Sequence, residues 1–264
     1  MSDILCSLRQ LSVTYGRGRN NTTALDRVDL DIATGERLAI IGESGSGKST
    51  LARALAGLLP DGAKVSGEML WPALGHPPRP GRDFGFVFQD PGTSLNPVLT
   101  LGEQIAEGAR RHLGLSWKQA SIRAEELLGR VRMPQPDKAM RAFPHQLSGG
   151  QRQRVAIAAA IAARPALLIA DEATSALDVV VQAEIVRLLD GLVREDGMTL
   201  LFITHDIALA SGFVDRIAVF RDARLVEAGS VRSVLSAPVS NYTAALIASH
   251  RDLATPPLIE ELAP

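Results

Sequence analysis

The sequence predicts an α/β fold: a mostly parallel sheet flanked by helices, with an antiparallel β subdomain near the N-terminus and an inserted α-helical subdomain. Three observations predict it. Short apolar runs such as "RLAIIG", "ALLIA" and "TLLFITH" alternate with helical patterns, as they do where a parallel sheet is covered on both faces. A glycine-rich stretch, "GESGSGKST" from Gly42 to Thr50, joins one such strand to a helix. From about Asp90 to Pro144 no strand is evident, and amphipathic helical periodicity takes over.

The elements follow in order. "LCSLRQLSVTY" and "ALDRVDLDI" alternate apolar and polar residues, which predicts half-buried antiparallel strands around a loop at Gly16–Thr23. "RLAIIG" is a strand, and "KSTLARALAGLL" is a helix stopped by Gly57 and Pro60. A short strand near Val65–Leu70 leads into a Pro- and Gly-rich surface loop. "FGFVFQ", Phe84 to Gln89, is a buried strand. "LTLGEQIAEGARRHL" and "SWKQASIRAEELLGRV" are amphipathic helices, the second capped by Ser116. "QRQRVAIAAAIAA" is a buried helix that breaks at Arg164-Pro165, and the strand "ALLIA" then ends at Asp171-Glu172. "VVVQAEIVRLLDGLVRE" is a helix, "TLLFITH" a strand, "DIALASGF" a short helix and "RIAVFRD" a strand. "ARLVEAGS" adds an edge strand, one or two helices follow from Val231, and "TPPLIEELAP" is a frayed end.

Composition narrows the function. A chain of 264 residues can bury a large core without staples. Lys+Arg 28 against Asp+Glu 29 gives a net charge of -1, which counts against a dedicated nucleic-acid binder. Cys6 is the only cysteine, so an internal disulfide and a four-cysteine metal site are both excluded. The opening "MSDILCSLRQ" lacks the long apolar run of a signal peptide. The run Val155–Ala170 is interrupted by Arg164 and Pro165 and is shorter than the ~20 residues a span needs, so we expect no bilayer crossing.

The chemistry lies at strand ends. "GESGSGKS" has the spacing G-x-x-x-x-G-K-S from Gly42 to Ser49, between a strand and a helix. Its backbone N–H groups cradle phosphate oxygens, and the helix start adds a positive dipole end. Glu43, Ser44, Gly45, Ser46, Gly47 and Thr50 complete the loop, Lys48 reaches the β and γ phosphates, and Ser49 holds Mg²⁺. Asp171 ends an apolar strand, where open α/β sheets place ligands, and is the acid for Mg²⁺. Glu172 is placed to polarise an attacking water. A pair of acids there is also compatible with a solvated strand end. His205 ends "LLFITH" and Gln89 ends "FGFVFQ". For both, a role at the γ-phosphate or at Mg²⁺ depends on where their strands fall.

Together these residues, from Tyr15 to about Ser249, resemble the ATP-binding subunit of an ABC transporter. "GESGSGKST" is similar to the family's Walker A loop, "LLIADE" to Walker B with its catalytic Glu172, Gln89 to the Q-loop and "LSGGQ" to the signature. "SALD", Ser175 to Asp178, is similar to the D-loop, His205 to the switch histidine, and Tyr15 to the aromatic residue stacked on adenine. The resemblance implies a P-loop NTPase and a single ABC ATPase domain over residues 1–264. Its RecA-like core would span 1–89 and 145–235, its helical insertion 90–144 and its C-terminal helical tail 236–264. "FQDPGTSLNPVLTLGEQIAE" and "SAPVSNYTAALIAS" resemble the branch that imports peptides, nickel and related small solutes. The chain departs from that branch in lacking a C-terminal cysteine cluster, in having "NYT" where "PYT" is common, and in a shorter segment after Val65.

The signature motif is a second helix start with phosphate-binding character, since Ser148, Gly149, Gly150 and Gln151 open "GQRQRVAIAAA". The resemblance implies that two ABC ATPase subunits, identical or different, pack head to tail. Each signature then closes on ATP held by the other chain, with Asp178 along the interface. It also implies polytopic permease subunits docked near Asp90–Pro97, an extracytoplasmic solute-binding protein, and a peripheral place on the cytoplasmic face of the inner membrane. Two other readings stay open. One is a soluble ABC ATPase acting on nucleic acid or ribosomes. The other is a small-molecule phosphotransferase, in which "LSGGQ" has no role.

Overall fold

The computed structural model describes residues 3–16 and 21–251; residues 17–20 of the expected loop and the expected frayed tail lie outside them. The chain divides into two compact units, Met1–Pro78 with Thr199–Pro264, and Arg79–Met198. In the first, β1 (Ile4–Tyr15) and β2 (Thr22–Ala33) pair antiparallel as expected, with Leu8 opposite Leu30, but irregularities interrupt the register and Leu5, Cys6, Ser7 and Leu8 are buried in succession instead of alternating. Strand β3 (Arg37–Ile41) leads through the phosphate loop to α1 (Lys48–Leu55). The expected short strand is β4 (Lys64–Leu70), and it pairs antiparallel with β1, giving the sheet order β2-β1-β4. Cys6 in β1 is fully buried, and desolvation pushes its thiol up to about 12.

In the second unit, β5 is Phe84–Val87, two residues shorter than expected. The strand stops because the chain turns at Phe88 and Gln89 to enter α2 (Pro91–Ser94), a single turn capped by Asp90 with Pro at its start. α3 (Leu101–Leu113) and α4 (Trp117–Arg130) are the two expected amphipathic helices. Thr100 and Ser116 open them with capping boxes to Glu103 and Gln119. α5 (Pro136–Ala139) adds one turn, and α6 is Gly149–Ala160. α6 ends three residues earlier than expected; turns follow at 161–163, and Arg164, with the left-handed φ of 55, precedes Pro165 and the chain's entry into the next strand. β6 (Leu167–Asp171) is buried along its whole length and pairs parallel with β5, Phe86 opposite Ile169. α7 (Val179–Asp196) closes on Gly197. Among the described residues 90–144 contain no strand, as expected.

The chain then returns to the first unit. β7 (Thr199–Thr204) pairs parallel with β3, α8 (Ile207–Ser211) follows, and β8 (Arg216–Arg221) pairs parallel with the other edge of β3. β9 (Arg224–Ser230) is the expected edge strand, antiparallel to β8. α9 (Val231–Ser236) and α10 (Asn241–Arg251) end the description. Leu38, Ala39, Ile40 and Ile41 of β3 and Leu200 to Ile203 of β7 have no exposed surface, which is why these strands read as unbroken apolar runs. No helix among the described residues is long and apolar enough to cross a membrane.

One close approach sets the second unit's geometry. A Cβ on Gly85 would collide with the carbonyl oxygen of Ala160, so β5 lies directly against the end of α6. Gly85→Ala should therefore lower unfolding stability by about 1–3 kcal/mol through overpacking. Urea unfolding of the variant checks this. A midpoint equal to that of the unsubstituted chain would show that the approach is not tight.

Candidate functional site

The phosphate loop leaves β3 at Ile41 and enters α1 through Gly47, whose φ of 106 suits glycine alone. A Cβ there would also lie 2.5 Å from the Ala24 carbonyl oxygen. Lys48 is only 4% exposed, and its Nζ donates to the carbonyl oxygens of Gly42 (2.7 Å) and Glu43 (2.8 Å). The ammonium arches back over the loop and fixes its start. The Ser46 N–H donates to the Glu43 carbonyl at 3.2 Å. Ser46 Oγ is buried with no hydrogen-bond partner, an orphaned hydroxyl in the middle of a loop rich in N–H donors. The first turn of α1 carries no acidic residue, so its dipole end is left for an anion.

Two more expected residues stand beside this loop. Tyr15 ends β1, and its hydroxyl lies 3.3 Å from Thr50 Oγ1. Ile41 pairs with Thr204, so His205 leaves β7 beside the point where the loop leaves β3. His205 is exposed.

The acidic residues belong to the second unit. Asp171 is the last residue of β6 and is 6% exposed. Val87 pairs with Ala170, so Gln89 and Glu172 emerge from neighbouring strand ends. There Gln89 Nε2 donates to Glu172 Oε2 (3.1 Å) and to Ser175 Oγ (3.3 Å). Glu172 adopts φ 48, held by the Ser175 N–H and hydroxyl, which both donate to its carbonyl oxygen (3.1 and 3.0 Å). A non-glycine residue in this region stores on the order of 1 kcal/mol, a pattern common where a side chain must be aimed. The sequence pattern identified Gln89 and Glu172 separately. It did not show Ser175 as their shared partner, because a serine in a turn carries no periodic signal.

Asp171 at the end of β6 supplies carboxylate oxygens and Gln89 an amide oxygen, and in the other unit Ser49 supplies a hydroxyl in the first turn of α1; all are hard donors of the kind that Mg²⁺ takes. No group of three His, Cys, Asp or Glu side chains that could cage a metal occurs among the described residues.

The signature segment has a local structural explanation. Ser148 caps α6: its Oγ accepts the Gln151 N–H (3.3 Å), and Gln151 Oε1 accepts the Ser148 N–H (3.0 Å). "SGGQ" is thus a capping box. A Cβ on Gly150 would lie 2.8 Å from Val181 Cγ1, so α6 begins against the first turn of α7. Asp178 caps α7 by accepting the Val181 N–H at 3.0 Å. Val179 and Val180, beside these caps, are 57% and 70% exposed.

A family profile described as "ABC transporter" matches residues 25–175. The chain belongs to the ABC transporter family. The matched segment holds the phosphate loop, Gln89, the signature and Asp171–Glu172; Tyr15, Asp178 and His205 lie outside it. The chain is 45% identical over 255 residues to the peptidoglycan transport ATP-binding protein YejF of Agrobacterium fabrum, covering 93% of this chain and 47% of that protein. It is 42% identical to the dipeptide transport ATP-binding protein DppD of Haemophilus influenzae, covering 93% and 77%. A solved structure of the ATP-binding cassette MJ0796, dimeric and bound to ADP and Pi, superposes with TM-score 0.72 at 32% identity, covering 86% and 99%. The chain spans about half the length of several curated ABC transporter relatives it matches, YejF among them.

The capping box gives a prediction that involves no ligand. Ser148→Ala and Gln151→Ala should each lower stability, Ser148→Ala by about 1 kcal/mol. The double variant should cost less than the sum, because one box is lost in all three. Denaturant unfolding of the cycle measures the coupling, and strict additivity would contradict the box.

Proposed function

We propose that the chain is an ATP-hydrolysing subunit that energises a membrane importer of peptides or related small solutes. The observation that carries this is the Gln89–Glu172 pair at adjacent parallel strand ends, together with a preformed phosphate loop whose buried Ser46 hydroxyl lacks a partner. The family and the names of the relatives, all transport ATP-binding proteins, support transport over a nucleic-acid role.

In this reading the loop N–H groups from Gly42 to Thr50 hold the phosphates and Lys48 exchanges its carbonyl partners for phosphate oxygens. Tyr15 presents its ring to adenine. Ser49, Asp171 and Gln89 hold Mg²⁺, which neutralises charge on the β and γ phosphates. Glu172 orients and polarises the water that attacks the γ-phosphorus, Gln89 steadies its carboxylate, and His205 contacts the γ-phosphate. Residues 1–89 and 145–235 form the catalytic core. The helical insertion at 90–144 is where permease subunits dock. The chain sits peripherally on the cytoplasmic face of the inner membrane and works with a solute-binding protein.

Ser148, Gly149, Gly150 and Gln151 act on ATP held by a second ABC ATPase subunit, with Asp178 at the seam. The exposed Val179 and Val180 beside them supply apolar surface for that seam. The dimeric form of the MJ0796 cassette supports the arrangement.

Two experiments test the reading. Glu172→Gln should bind ATP with nearly unchanged affinity, lose more than a hundredfold in turnover and accumulate as a closed dimer. Full turnover would reject Glu172 as the group that activates water. For the dimer, Lys48→Ala chains are mixed with Ser148→Ala chains. Each alone should be nearly inactive, and activity should return on mixing, because one of the two shared sites then has both parts intact. With a dissimilar natural partner, site-specific nucleotide trapping replaces mixing: Ser148→Ala should impair the partner's site. Impairment confined to the chain's own nucleotide would reject the cross-chain arrangement.

A further inference from the structure

Glu43, the second residue of the phosphate loop, is held from three sides. The Glu43 carbonyl oxygen accepts Lys48 Nζ (2.8 Å) and the Ser46 N–H (3.2 Å). The Glu43 N–H donates to the hydroxyl oxygen of Tyr242, 199 residues away on α10, at 3.2 Å. Both peptide groups that flank Glu43 are thus fixed, one by the loop itself and one by the C-terminal helix.

That helix is anchored. Glu227 of β9 accepts the backbone N–H groups of Val239 (2.9 Å) and Ser240 (3.0 Å) just before α10. Ser240 Oγ accepts the Tyr242 N–H at 3.2 Å. The Arg221 guanidinium at the end of β8 lies 4.8 Å from the Tyr242 ring centroid, a cation–π contact. Burial raises the pKa of the Tyr242 hydroxyl, which keeps it protonated at neutral pH. Tyr242 is therefore oriented by its backbone, by its ring face and by its hydroxyl, and the hydroxyl meets the loop.

We propose that Tyr242 is a positioning residue for ATP binding: its hydroxyl holds the Glu43 peptide so that the loop is preformed before nucleotide arrives. The Lys48 tether depends on the place of that same peptide. A loop ordered in advance spends less binding free energy on ordering itself. The contact thereby links nucleotide affinity to the seating of the C-terminal helix. This inference rests on Gly42–Thr50 being the phosphate loop.

The test is Tyr242→Phe in the whole chain, which keeps the ring over Arg221 and removes only the hydroxyl. ATP affinity, measured at equilibrium with a fluorescent ATP analogue, should weaken about fivefold to tenfold, the scale of one hydrogen bond. The KM for ATP should rise similarly, with kcat at saturating ATP within twofold of the unsubstituted chain. Hydrogen exchange at the Glu43 amide should quicken in the nucleotide-free protein. Lys48→Ala, measured alongside, should lose ATP binding. If Tyr242→Phe binds normally while Lys48→Ala does not, or if kcat falls with KM unchanged, the role of Tyr242 is overturned. If Lys48→Ala binds normally, the phosphate-loop assignment itself is overturned.

Discussion

Parallel pairing is the constraint on which the functional geometry depends. Two parallel strands in register end at the same edge, so the residues that follow them are neighbours without any need for proximity in sequence. In the first unit this brings the loop after β3 beside His205 after β7. In the second it brings Gln89 after β5 beside Glu172 after β6, separated by 83 positions in the chain. The strands themselves are almost wholly buried, which makes a slip of register costly. The chemistry inherits its precision from that burial.

The side chains proposed to meet nucleotide also hold local structure. Lys48 bonds to the loop's own carbonyl groups, so the charge that would meet phosphate first shapes the cradle. Ser148 and Gln151 cap a helix, and Asp178 caps another. A substitution at such a position would perturb folding together with the proposed ligand contact. The two are separated only by measurements that respond to one of them.

Much of this was legible in the sequence. The alternation of "LCSLRQLSVTY", the apolar runs of β3, β6 and β7, and the caps at Thr100 and Ser116 are local signals with direct physical causes. The glycine spacing of the phosphate loop was visible because close backbone approach tolerates few residues. What the sequence hid was non-local or too short. The pairing of β4 with β1 depends on register across more than fifty residues. The single turns α2 and α5 have no periodicity to detect, only the Pro at their starts. Ser175 and Tyr242 gain their importance from partners that a linear reading does not place beside them.

Cys6 has a practical consequence. It is the only thiol in the chain, has no exposed surface, and is held protonated by a pKa of about 12. Thiol reagents attack through the thiolate, so the native protein is nearly silent towards maleimide or spin-label chemistry. The unaltered chain is already a background for site-directed labelling. A single cysteine introduced at an exposed position such as Val180 carries the whole signal, and the proposed opening and closing of a dimer would be read directly as distances between labels.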